Sequence, residues 1–144
     1  MIRQFASRLG RDTGGSTMIE FAILAPAVIA MMLGVLYVGM ALQNYNALRG
    51  LSADVARYAM IQYARGNRMN DAQLQTYALS VGDGAPYLFD STLRAVVGDA
   101  ANQRVSGATE KTLTLTYQIP TLVESLGLRG PQISFARPVF LPLT

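Results

Sequence analysis

Residues 21–42 read FAILAPAVIAMMLGVLYVGMAL, 22 positions without a charged side chain. As an α-helix rising 1.5 Å per residue, the run reaches ~33 Å, against a hydrocarbon core of about 30 Å. A helix of that length in a soluble core would show a polar face, and this one shows none. The run is therefore expected to cross a membrane. It is too long for the apolar region of a secretory signal peptide, roughly 7–15 residues. Its far end, Gly39-Met40-Ala41-Leu42-Gln43, is a poor small-x-small cleavage site.

The flanks set the orientation. Met1 to Gly15 carries Arg3, Arg8 and Arg11 against a single Asp12, with Ile2, Phe5 and Leu9 at helical spacing. Beyond the run, Arg49 and Arg57 stand on either side of Asp54. Positive charge stays on the cytoplasmic side, so the N-terminus is expected inside and the residues after Leu42 outside. The net charge of +3 owes two units to the first fifteen residues, leaving about +1 on the side chains from Ser16 onward. The pI of 9.5 is thus no nucleic-acid signature, and no basic stripe with interleaved aromatics follows. Membrane lipid is an expected partner; nucleic acid is not.

The helix is expected to outrun the membrane. From Gln43 to Ala64 there is no proline, and Leu48, Leu51, Val55, Tyr58 and Gln62 fall on one face. Gly66-Asn67 should end a helix running from about Thr17 to Arg65. Asn70 with Gln73 has the spacing of a capping box, Leu74, Tyr77, Ala78 and Val81 form the apolar face behind it, and Gly82 is read as the stop. Asp83-Gly84-Ala85-Pro86 is a loop. Ser91 to Val97 is expected to make a brief helical turn capped by Asp90 and stopped by Gly98. Ala100 to Lys111 reads as a polar loop with a short strand around Val105. Thr112 to Ile119 alternates strictly, the period of a half-buried strand, and Pro120 ends it. Leu122 to Gly127 would connect to a second strand, Gln132 to Leu141, in which Pro138 marks an edge or bulge. Two strands cannot stand alone in water, so they must pack on the amphipathic half of the long helix. The fold class expected is an α+β membrane protein: a long N-terminal transmembrane helix extends into a small extracytoplasmic domain with a second helix and a C-terminal antiparallel β-hairpin.

Chemistry is thinly represented. The chain has no cysteine and no histidine, which removes disulfides, thiol nucleophiles, common zinc ligand sets and the usual general base. An enzyme, a cofactor and a metal site are not expected. Gly10 to Thr17 is glycine-rich but lacks the lysine of a phosphate loop and precedes a membrane span. Asp83, Asp90 and Asp99 are too widely spaced for a calcium loop. Met31, Met32 and Met40 read as lipid-facing or packing residues, Tyr45, Tyr58 and Tyr63 as interfacial or core tyrosines, and Arg57, Arg65 and Arg68 as a solvated face.

Glu20 is different. It stands at the start of the apolar run, where an ionisable group deep in the bilayer costs about 2.5–3.5 kcal/mol and nothing in folding asks for an acid. Stabilising the helix N-terminus through the dipole would account for about 0.3–1 kcal/mol. Farther along, Ala22, Pro26, Ala30 and Gly34 recur every fourth position and line one face with small or flat residues, the pattern that lets membrane helices approach closely. Alanine and glycine are also common in any membrane helix. Pro26 leaves the Ala22 carbonyl without its helical donor, and a kink or local opening is expected there.

The segment Gly14-Gly15-Ser16-Thr17-Met18-Ile19-Glu20-Phe21 resembles the processing site of type IV prepilins and pseudopilins. The resemblance implies a basic leader ending at Gly15 and cleavage before Ser16, which puts Glu20 fifth in the mature chain with Phe21 after it. Glu20-Phe21-Ala22-Ile23-Leu24-Ala25-Pro26 is similar to the opening of the TadE-like family, pseudopilins of the tight-adherence (Flp pilus) system. Thr112 to Pro120 and the following Thr121 to Leu128 are similar to that family's C-terminal strand, proline and hydrophobic turn. The resemblance implies a minor pseudopilin with three parts: leader 1–15, transmembrane and assembly helix 16–42, and extracytoplasmic α+β domain 43–144. It implies Glu20 and Phe21 as assembly residues and Ala22, Pro26, Ala30 and Gly34 as the packing face. A prepilin peptidase, other pilin or pseudopilin subunits and an inner-membrane assembly platform would be its partners. The chain would then sit in a bacterial inner membrane, with its outer domain periplasmic, or be incorporated in the pilus. The alternative is an uncleaved single-pass anchor for a periplasmic binding or sensor domain.

Overall fold

A computed structural model describes residues 14–87, 89–120, 127 and 129–142. The chain divides into two units, Met1–Gly39 and Met40–Thr144. One helix, α1 (Gly14–Ala64), is continuous through Pro26. It is followed by α2 (Asp71–Asp83), β1 (Arg94–Asp99), β2 (Ala108–Gln118) and β3 (Gln132–Pro142). The architecture is α+β, and the strands form one antiparallel sheet in the order β1-β2-β3.

In the second unit α1 is amphipathic, as its spacing demands. Leu48, Leu51, Val55 and Ala59 are buried, with Ser52 and Ala56 beside them. The Ser52 hydroxyl donates to the Arg49 carbonyl at 2.7 Å, so this buried polar group is satisfied within the helix. α1 closes in a Schellman motif: Gly66 has φ +79, its N–H donates to the Tyr63 carbonyl, and the Asn67 N–H donates to the Gln62 carbonyl. Only glycine takes that φ cheaply.

The capping box at Asn70 is formed in both directions. The Gln73 N–H donates to Asn70 Oδ1 at 2.8 Å, and the Asn70 N–H donates to Gln73 Oε1 at 2.9 Å. Leu74 and Ala78 of α2 are buried. Gly82 does not stop the helix, which continues to Asp83. It is buried there, and a Cβ on it would lie 2.4 Å from Leu93 Cδ2 and 3.1 Å from Leu51 Cδ2. Its small size serves close packing, a role that local sequence does not distinguish from a terminator.

The expected helical turn at Ser91–Val97 is replaced by a strand. Asp90 does cap: the Thr92 N–H and hydroxyl both donate to Asp90 Oδ1, at 2.8 and 2.6 Å. The cap serves a tight turn, after which Arg94 to Asp99 pairs with Thr116 to Lys111 of β2. A cap signal is the same for a turn and a helix; the long-range ladder decides. The hairpin expected from Thr112–Ile119 and Gln132–Leu141 is present as β2 and β3, within a three-stranded sheet. β2 begins at Ala108 because its polar start pairs with the end of β3, Ala108 opposite Pro142 and Lys111 opposite Val139. Val105 lies before the strand. Pro138 falls on edge strand β3, where a missing N–H is tolerated. Of the Leu122–Gly127 connection, only Gly127 is described, in a turn with φ +79; the rest lies outside the described residues.

Leu113, Leu115, Tyr117 and Ile119 alternate inward from β2 and its end, joined by Val139 and Leu141 from β3. They form one core with Leu48, Leu51, Val55, Leu74, Phe89 and Leu93. Burying each leucine contributes about 1.5–3 kcal/mol.

Candidate functional site

The N-terminal part of α1 is built to be covered. The helix from Thr17 contains a window of mean hydropathy 2.4 that is 0% buried. Phe21 is 72% exposed, and Met18, Ile19, Ile23, Leu24, Met31, Met32, Val35 and Leu36 are exposed with it. A contiguous apolar surface wrapping a whole helix far exceeds the few hundred Å² a soluble monomer leaves open, and it marks contact with lipid or other helices. The helix is long and apolar enough to cross a membrane and is not covered by the rest of the chain, which supports a membrane anchor.

Each residue singled out by the sequence has a place on it. Gly15 and Ser16 stand in the first helical turn, since α1 begins at Gly14. Glu20 is exposed one turn later, beside exposed Phe21. Ala22, Pro26, Ala30 and Gly34 are all exposed. A Cβ added at Gly34 or at Gly39 would meet nothing within 4 Å, so neither glycine is required by packing inside the chain.

The second unit holds three polar clusters that the sequence did not announce. Lys111 Nζ lies 2.7 Å from Asp71 Oδ1 and donates to Asp99 Oδ1 at 3.0 Å, tying the start of α2 to the end of β1. The approach to Asp71 is an ion contact off the usual hydrogen-bond angles, because that buried oxygen accepts no hydrogen bond. Burial alone would lower the Lys111 pKa, but the two carboxylates outweigh it and raise it. Glu110 is fully buried on the sheet face opposite Leu113. It accepts from the Arg104 N–H at 2.9 Å and Nε at 2.8 Å, and also from Nη2. These bonds hold the Glu110 carboxyl below its ordinary pKa against the opposing effect of burial. The Tyr87 hydroxyl donates to Asp54 Oδ2 at 2.7 Å, and burial first, then that bond, pushes its pKa to about 12. Arg57 and Asp54 approach to 3.4 Å on the surface. The Lys111 and Tyr87 clusters join parts of the fold that are distant in sequence, whereas Arg104 and Glu110 are six residues apart; each has a structural role. Among the described residues no group of three or more Asp, Glu, His or Cys side chains could hold a metal ion.

These features point to a membrane-anchored protein with, among the described residues, one candidate spanning helix, followed by a small α+β unit. A family model described as TadE-like protein matches residues 15–57. The matched segment opens at Gly15, includes Glu20 and the whole apolar run, and ends in the amphipathic part of α1. Over these residues, fewer than a third of the chain, it is similar to TadE-like proteins, in line with the resemblance its sequence carries. No curated protein and no solved structure matches the chain.

Proposed function

We infer that the protein is a minor pseudopilin that takes part in assembling an Flp/Tad-type pilus and is matured by prepilin-peptidase cleavage after Gly15. The observation that carries this reading is the coincidence of three signals. The TadE-like match begins at Gly15, Glu20 stands five residues beyond it, and the helix that follows is apolar and exposed on every side.

In this mechanism the chain performs no reaction of its own. The peptidase needs extended backbone at the cut, and Gly14 and Gly15 are poor helix formers, each costing about 0.5–1 kcal/mol relative to alanine, so the first turn opens readily. Cleavage then leaves an amine at Ser16. Glu20 of one subunit pairs with the Ser16 amine of a neighbour, fixing register more than adding raw stability. Phe21 packs beside that pair, and Ala22, Pro26, Ala30 and Gly34 let neighbouring helices approach. Before assembly the helix sits in the inner membrane with its N-terminus cytoplasmic and its outer unit periplasmic, in reach of the assembly platform.

The test is the intact mass of membrane-extracted protein from cells with and without their prepilin peptidase. A chain starting at Ser16 only in the presence of the peptidase is the expected result. A full-length mass in both strains refutes the reading and leaves an uncleaved anchor for a periplasmic binding or sensor domain.

A further inference from the structure

Between α1 and edge strand β3 the second unit has a groove of about 590 Å³, within the 300–1,000 Å³ usual for binding sites. Arg49 and Arg57 reach it from the helix and Arg137 from the strand, over an apolar floor that includes Met60, Phe135 and Val139. No Asp or Glu lines it. Arg57 is shared with Asp54, while Arg49 and Arg137 form no ion pair among the described residues. Three guanidinium groups brought into one concavity repel one another, and the arrangement is favourable when a carboxylate-bearing partner enters.

We propose that this groove docks an extended acidic segment of another protein chain, with its carboxylates on Arg49, Arg57 and Arg137 and an apolar side chain on Phe135 and Val139. Length supports a peptide. Arg49 and Met60 are eleven residues apart on α1, ~16 Å along its axis, the span of about five extended residues. A flat headgroup surface cannot follow a concave groove of that length. Recognition is by side chains, because Pro138 in the middle of edge strand β3 offers an added strand no N–H donor.

A second copy is the less favoured occupant: among the described residues of the second unit, Asp54, Asp71, Asp99 and Glu110 already face Arg57, Lys111 and Arg104, and Asp83 and Asp90 line a concavity with Arg94. The proposal holds whether or not the leader is cleaved.

The experiment uses the full chain in detergent micelles and a fluorescein-labelled Glu-Leu-Glu-Leu-Glu peptide, read by anisotropy. Saturable binding that weakens with added salt is expected, at least tenfold weaker in Arg49→Gln/Arg137→Gln and unchanged in Arg65→Gln, which lies outside the groove. Neither groove arginine is buried, so the double variant should melt with the wild type; Arg137→Gln alone is the fallback if it does not. Equal binding of Gln-Leu-Gln-Leu-Gln, absence of binding, or indifference to the arginine changes overturns the proposal. So does Arg137-dependent binding to phosphatidylglycerol vesicles without peptide binding, which assigns the groove to lipid. An Arg137-dependent dimer in sedimentation would assign it to a second copy and overturn it equally.

Discussion

Replacing Gly82 by alanine tests how tightly α2 lies against the rest of the core. The new Cβ would sit 2.4 Å from Leu93 Cδ2 and 3.1 Å from Leu51 Cδ2, where carbon atoms prefer about 3.5–4.0 Å. Leu93 must retreat by roughly 1 Å. It is itself buried, as is Leu51, so its movement displaces other core atoms. Overpacking of this kind costs about 1–3 kcal/mol. Alanine returns about 0.5–1 kcal/mol by favouring the helix, which leaves a net loss of up to about 2.5 kcal/mol, centred near 1 kcal/mol. For a folded unit of roughly 100 residues, the central value lowers Tm by about 4–8 °C. The assay is thermal unfolding of the full chain in micelles, followed by tyrosine near-UV circular dichroism, for Gly82→Ala, Leu93→Ala and the double variant. With Leu93 cut back, the alanine should become neutral or mildly stabilising, a coupling of about 1–3 kcal/mol. If Gly82→Ala raises Tm in the parent chain, or costs the same with and without Leu93, the close-packing account is wrong and Gly82 acts on the helix end alone.

Three further outcomes follow from the polar clusters. Glu110 has a lowered pKa, so its contribution is complete above the ordinary carboxylate value and fades as pH falls through the depressed one; the Arg104 amide, which donates to that carboxylate, should lose hydrogen-exchange protection, relative to its intrinsic rate, as pH falls through that range, and Glu110→Gln should show weakened protection already at neutral pH. Lys111→Met leaves Asp71 and Asp99 without their cation; because both carboxylates are partly exposed, the loss in chemical denaturation should be about 1–2 kcal/mol, below the 3–5 of a fully buried pair. The Lys111 pKa is raised, so in the parent chain this stabilisation is intact below about pH 10 and disappears as pH climbs through the raised value, and a pH-independent difference between the two chains would refute the ion-pair account. Asn70→Ala removes one side of the capping box and should cost about 0.5–2 kcal/mol, with hydrogen exchange rising first at the Gln73 amide.

The span, the long helix, the α2 cap and the core face of β2 were legible in sequence because each is governed by local rules. Twenty-two uncharged residues exceed any soluble requirement, Asn70 and Gln73 satisfy one another across a single turn, and alternation from Leu113 to Ile119 follows from the pleat. Glu20 was conspicuous because an acid at the edge of an apolar run carries a desolvation cost that its helix-dipole contribution does not offset. What escaped was whatever depends on partners distant in the chain. Strand β1 exists because β2 offers Arg94–Asp99 a ladder, while its own six residues read equally well as a turn. Gly82 is small because Leu93 and Leu51 press on it. Glu110 reads as a surface acid until the segment carrying Arg104 folds over it, and Arg57 reads only as part of a solvated face until β3 brings Arg137 to the same groove. Hydrophobic period and caps act over a few residues and are written in order along the chain; pairing register, close approach and convergence of charge are set by which surfaces the collapsed core brings together, and only the tertiary structure decides them.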